Sequence, residues 1–156
     1  METTRHFTAT VYVVNEGATA LHEHERLGLW LPPGGHVDRD ELPHETAARE
    51  VREETGLDPA LLLDAPAIET DVVRSLPQPA HLLLEDIHEY DDGTVGHQHV
   101  DFVYFASVPS REVRPAGDGE RSAEHWEWFT AAELRAADLG SEVVEIGTEA
   151  IETVEG

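Results

Sequence analysis

Gly35-His-Val-Asp-Arg-Asp-Glu41-Leu-Pro43-His-Glu45-Thr-Ala47-Ala48-Arg49-Glu50-Val51-Arg52-Glu53-Glu54-Thr-Gly56-Leu57 is the stretch that decides the fold of this 156-residue chain. Pro43 suits the first turn of a helix, where its missing N–H costs nothing, and Gly56 suits the residue just past the end. At roughly 100° per residue, the helix between them gathers Glu50, Glu53 and Glu54 into one narrow arc. Ala47, Ala48 and Val51 fall on an adjacent arc that can pack on a sheet, while Glu45 and Arg52 point towards water. Carboxylates converging on one face repel one another, so something must neutralise them. A hard divalent cation with oxygen ligands answers that need, and Mg²⁺ or Mn²⁺ fits best. Arg49 precedes Glu53 by one turn, the spacing of a helical ion pair. Glu- and Arg-rich helices are more often solvated faces laced with ion pairs. Here the glycine turn before the run and the glycine stop after it favour a functional face.

Upstream, Leu27-Gly-Leu-Trp30-Leu-Pro-Pro-Gly34-Gly35-His-Val37 reads as a short strand, a rigid Pro-Pro step and two glycines that let backbone approach a ligand. The run Gly35–Leu57 resembles a complete Nudix box, and the resemblance to that family is strong over Trp30–Leu57 and looser over the rest of the chain. The resemblance implies an α/β/α sandwich and a metal-dependent hydrolase. It also implies that Glu50, Glu53 and Glu54 bind metal with the Gly34 carbonyl. Glu50 or a neighbouring Glu would help to deprotonate the attacking water, and Arg49 would orient Glu50. Gly35 and Glu41 match supporting positions.

The length suits a single domain over residues 1–156 with a proper core. No segment is apolar enough to span a bilayer and none reads as a secretory leader, so a soluble cytoplasmic protein is expected. The chain has no Cys, which excludes disulfides and thiolate metal sites, and its positive residues are all Arg, which excludes a phosphate loop built on Lys. Ten cationic residues stand against 33 acidic ones, a formal net charge of −23. That charge repels duplex nucleic acid and anionic membranes. Its simplest account is life in high salt, where the Debye length falls to ~3 Å at 1 M. A halophilic source is therefore expected, with a small nucleotide-type molecule as substrate and a monomer or homodimer as the assembly.

Thr8–Val14 and Ala18–His22 read as strands around an Asn15-Glu-Gly17 turn; Leu27–Leu31 and His36–Val37 flank the glycine step. Leu61–Leu63, Ile68–Arg74 and the apolar run His81–Ile87 follow, then an Asp91-Asp-Gly93 hairpin signal and the strand Val100–Val108. Arg111–Arg121 reads as a surface loop and Trp126–Phe129 as a short strand. Thr130-Ala-Ala-Glu133 is a capping box, and Ser141 is expected to cap a last helix with Val143, Gly147, Ala150 and Val154 on one face. This is an α+β pattern, a mixed β-sheet flanked by helices.

His97, His99 and Asp101 alternate along one strand and share a face. They read as a second metal site or substrate contacts, or else as a polar strand face near water or a His–Asp hydrogen bond. Resemblance to the pocket-bordering strand of many Nudix proteins makes His99 and Asp101 substrate-binding candidates. The same resemblance brings in Glu120 and Glu124, with Glu124 the better match in position. His22 and His24 share a face but adjoin Glu23, Glu25 and Arg26, which suggests an exposed structural edge. Arg5 and His6 precede the first expected strand and read as solvated, though within reach of a phosphate. Of Trp126 and Trp128, which alternate, one should face the core; the other could stack on a base.

Substrate markers of the family are missing. Val72 stands where ADP-ribose enzymes often carry Pro, and Val73-Arg74-Ser75 where dinucleoside polyphosphate enzymes often carry Tyr. Ser75-Leu-Pro77-Gln-Pro79 lacks the aromatic residues of the NADH marker. The expected function is hydrolysis of the phosphoanhydride of a nucleoside diphosphate linked to another moiety. The alternative is a non-catalytic nucleotide-binding module, although such proteins commonly lose box carboxylates that this chain retains.

Overall fold

The computed structural model describes residues 2–25, 27–117 and 122–156. Among these, eight strands form one mixed sheet: β1 (Thr4–Asn15), β2 (Ala18–Glu23), β3 (Trp30–Leu31), β4 (Gly34–His36), β5 (Ala60–Leu61), β6 (His81–Glu89), β7 (Val95–Ser107) and β8 (Trp126–Thr130). Three helices accompany it: α1 (Pro43–Thr55), α2 (Ala131–Ala136) and α3 (Ser141–Glu155). β1 and β7 run parallel down the centre over their full shared length. Each is then flanked by two shorter antiparallel partners, β4 and β2 on the outer edge of β1, β6 and β5 on that of β7.

Alternation along the two central strands sends their side chains to opposite faces, where they build two cores. Ala9, Val11, Val13, Tyr104 and Ala106 pack beneath Ala47 and Val51 of α1. Tyr12, Val14, Val103 and Phe105 pack against Leu134 of α2 and Val143, Ile146, Ala150 and Ile151 of α3. The result is the expected α/β/α sandwich.

α1 starts at Pro43 and stops at Gly56, whose φ of 72° lies in the left-handed region and whose N–H donates to the Arg52 carbonyl at 2.9 Å. Several sequence expectations are corrected by the structure. β1 and β7 begin earlier than their apolar runs, because strand pairing carries the polar segments Thr4–Phe7 and Val95–His99 into the sheet. Arg5 and His6 therefore lie within a strand, and Arg5 donates to Gln98 Oε1 at 2.7 Å. Gly140, rather than Ser141, occupies the N-cap of α3. Its buried face is Val143, Ile146, Gly147, Ala150 and Ile151, with Val154 only half-buried. Ile68–Arg74 forms a turn closed by one Glu69–Arg74 bridge instead of a strand.

Candidate active site

The carboxylates of α1 are organised by Arg49, which lies among four acidic side chains. Its Nε and Nη2 donate to the two oxygens of Glu41 at 2.7 and 2.9 Å, and its Nη1 is shared between Glu50 at 3.1 Å and Glu53 at 3.2 Å. Asp38 adds a longer contact of 3.6 Å. The buried Thr46 hydroxyl donates to Glu41 as well, at 2.9 Å. The Arg49 hydrogen bond is the chief reason the Glu41 carboxyl is held down to about 2, and Arg49 is in turn pushed above its ordinary value by Glu41. Sequence reading pairs Arg49 with Glu53 and Glu50; its firmest partner is Glu41, supplied by the loop before the helix.

The glycine step closes on these acids. A Cβ on Gly35 would overlap the Glu50 carboxylate, so only glycine lets that carboxylate lie against the backbone. Gly34 N–H donates to Glu54 Oε1 at 3.2 Å, and the other Glu54 oxygen lies 3.9 Å from His22 Nε2. Glu54 is buried, Glu50 nearly so, and Glu53 half-exposed. Glu50 and Glu54 thus present oxygen donors beside the Gly34–Gly35 backbone, and Glu53 is joined to Glu50 through Arg49, a donor set that suits a hard divalent cation.

A cleft of about 860 Å³ opens from this corner along the sheet face that carries α3. Gly34, Gly35 and Glu54 form one end of it; His99, Asp101 and Glu85 line its floor, and Glu142 of α3 overhangs it. The size falls within the range that takes a nucleotide-sized ligand. Asp101 is buried and accepts from the Thr8 and Thr10 hydroxyls at 2.8–2.9 Å. Of the alternative readings, the His–Asp hydrogen bond gives way to these two threonines, with Thr8 directly opposite Asp101 in the β1–β7 register. Burial first, then the nearby Asp101 charge, pushes the Glu85 carboxyl up to about 7. Burial and the neighbouring His36, His97 and His6 rings lower the His99 value. Among the described residues, no Arg lines the cleft, so its charged groups are carboxylates and histidines.

His22 and His24 line this cleft rather than an exposed edge. His22 lies on β2, which β3 and β8 both pair at that residue, so it is not at a free edge, and His24 follows just past the strand. Glu85, His36 and Glu142 are cleft residues that sequence reasoning missed, since nothing local marks which face of a strand or helix meets a cavity. Glu124 is not brought to the cleft: it sits exposed in a short 3-10 turn, Ala123–His125, beside Ser122 and His125. Glu120 lies outside the described residues. Neither tryptophan reaches the cleft. Trp126 is buried in the core under α1, and Trp128 donates to the Arg111 carbonyl at 3.1 Å beneath the Arg111 guanidinium.

Comparison with known proteins agrees with this fold. A NUDIX domain profile matches residues 4–146. A NUDIX-family hydrolase from Clostridium perfringens superposes with a TM-score of 0.80 at 31% identity, covering 96% of this chain and 97% of that one. A mutator MutT protein from Bacillus halodurans shares the fold, with a TM-score of 0.64 at 20% identity over 94% of this chain and 82% of that one. The asymmetrical bis(5'-nucleosyl)-tetraphosphatase of Rattus norvegicus is 37% identical over 65 residues, 40% of this chain and 44% of the relative. The chain thus spans less than half the length of that curated relative.

Proposed function

The chain belongs to the Nudix hydrolase family, and on that premise we propose that residues 1–156 act as one Mg²⁺- or Mn²⁺-dependent pyrophosphohydrolase domain. Its substrate would be a nucleoside diphosphate linked to a further moiety. The observation that carries this reading is the meeting of Glu50 with Gly35 and of Glu54 with Gly34 where a nucleotide-sized cleft begins, with Glu53 joined to Glu50 through Arg49. Nudix hydrolases generally use divalent metals, and the carboxylates here, with the Gly34 carbonyl, would hold them. When bound, such ions lower the pKa of water and offset charge on the phosphates.

The remaining roles belong to the chain itself. Glu50, set against Gly35 and touched by Arg49, is placed to accept the proton of an attacking water. Arg49 would hold Glu50 and Glu53 in place through its shared Nη1 while Glu41 anchors Arg49 in turn. No activated side-chain nucleophile stands at this corner among the described residues, so displacement at phosphorus would proceed by water. The acidic cleft makes cation dependence physically necessary for a polyanionic substrate. A cytoplasmic, high-salt setting accords with the net charge of −23.

The test is product release from a panel of nucleoside diphosphate derivatives and dinucleoside tetraphosphates with Mg²⁺, at low and molar KCl. Metal-dependent release of phosphate-containing products is expected, with kcat lowered by orders of magnitude in Glu50→Gln. Binding without products, or near-normal turnover in that variant, would favour a non-catalytic sensor.

A further inference from the structure

Three histidines from three different strands meet on the cleft face of the sheet. His6 lies on β1, His36 ends β4 and His99 lies on β7. Parallel register sets His6 beside His99, while antiparallel register sets His36 opposite Thr8, one alternation further along β1. Residues 6 and 8 of β1 point to the same face, so the imidazoles converge. One ring nitrogen from each lies within 4.8 Å of those of the other two. The ring centroids stand 5.4 Å apart for His6 and His36, 5.0 Å for His36 and His99, and 6.4 Å for His6 and His99. A fourth ring, His97, stands 4.6 Å from His6, but its Nδ1 is engaged by the Thr4 hydroxyl at 2.8 Å.

We propose that His6, His36 and His99 form a binding site for a d-block divalent cation, of which Zn²⁺ is the type, separate from the carboxylate corner of α1. Nitrogen donors select such ions over Mg²⁺ and Ca²⁺, which prefer oxygen. A Zn–N distance of about 2.0–2.1 Å requires the three nitrogens to draw together. His6 and His36 are exposed and can rotate to do so, while the half-buried His99 sets the position. Three protein ligands leave a coordination position for water or another oxygen donor, as in open zinc sites. His36 and His99 line the cleft, so that position would face the same space as Glu85 and Asp101. A dication there would offset part of the cleft's negative charge.

The experiment is titration of chelator-treated protein, prepared without a polyhistidine tag, with Co²⁺ followed by visible absorption and with Zn²⁺ followed by calorimetry. The wild type should bind one equivalent with a nitrogen-ligand Co²⁺ spectrum, besides any ion taken by the carboxylate corner. His6→Asn and His36→Asn, both at exposed positions, should each weaken it at least tenfold, and Glu53→Gln should leave it in place. Histidine ¹H–¹⁵N spectra of the wild type should show the three side chains shifting together on Zn²⁺ addition. Unchanged binding in the His6→Asn/His36→Asn double variant would overturn the site. Loss of the Co²⁺ signal in Glu53→Gln alone, or unmoved histidine resonances, would do the same. None of these readouts depends on hydrolysis.

Discussion

Arg49 holds Glu41 with a two-pronged grip, Nε to Oε2 at 2.7 Å and Nη2 to Oε1 at 2.9 Å, and so ties α1 to the loop that precedes it. The third guanidinium nitrogen is thereby aimed at Glu50 and Glu53. A planar fork can grip one carboxylate with two of its nitrogens and reach two more with the third; an ammonium cannot. Arg49→Lys should therefore lower kcat roughly 10- to 100-fold while charge is conserved, because Glu50 and Glu53 lose their common spacer. Steady-state kinetics with the best substrate of the panel checks this, and turnover within twofold of wild type would refute it.

Glu41 gives the same grip a pH signature. Its carboxyl is held down to about 2, chiefly by Arg49, against an unfolded value near 4.5. The folded state then binds fewer protons than the unfolded state between these values, so the contribution to stability is present above about 4.5 and lost as pH falls towards 2. Glu41→Gln should be less stable than wild type at pH 6, by roughly 1–3 kcal/mol for a lost charged hydrogen-bond pair. That gap should narrow towards pH 2.5. Urea melts at the two pH values test it; a gap independent of pH would assign the loss to packing.

Gly35→Ala probes the contact between the glycine step and α1. The added methyl overlaps the Glu50 carboxylate, the far end of a flexible side chain, so the fold should survive while the carboxylate is displaced. We expect kcat to fall at least tenfold with the melting temperature changed by only a few degrees. A large drop in melting temperature with kcat preserved would locate the strain elsewhere.

The cleft carries a second titration. Glu85, pushed up to about 7 by burial and by Asp101, is neutral below that value and charged above it. A negative charge appearing on the cleft floor opposes a polyanionic substrate. KM should consequently rise as pH passes from 6 to 8, and Glu85→Gln should flatten that rise. An identical KM profile in the variant would remove Glu85 from the substrate's surroundings.

Salt should act on the whole molecule. With 33 acidic residues against ten cationic ones, self-repulsion is screened only at high ionic strength. The unfolding midpoint should rise between low and molar KCl; a flat or falling midpoint would contradict a high-salt setting.

Much of α1 was legible because its geometry is local. A helix of fixed pitch sets which side chains share an arc, so Pro43, Gly56, the buried Ala47 and Val51 and the acidic face of Glu50, Glu53 and Glu54 could be placed from spacing alone. Strand ends were less legible. Thr4–Phe7 and Val95–His99 lack an apolar pattern, and they become strand through pairing with each other and, for Val95–His99, with β6 rather than through propensity. Glu124 shows the opposite failure: its position along the chain matched the family, but the fold places it beside His125, away from the cleft.

By itself, then, the sequence determined the helix, its acidic face, the glycine step and a strongly acidic net charge. Only the tertiary structure decided that Arg49 answers first to Glu41, that His22 faces Glu54, and that Glu85 sits beside Asp101. It alone brought His6, His36 and His99 within reach of one ion. The division has one physical cause. Spacing within a helix follows from a pitch that every sequence shares, whereas meetings between strands depend on register and strand order, which the packing of the two cores selects.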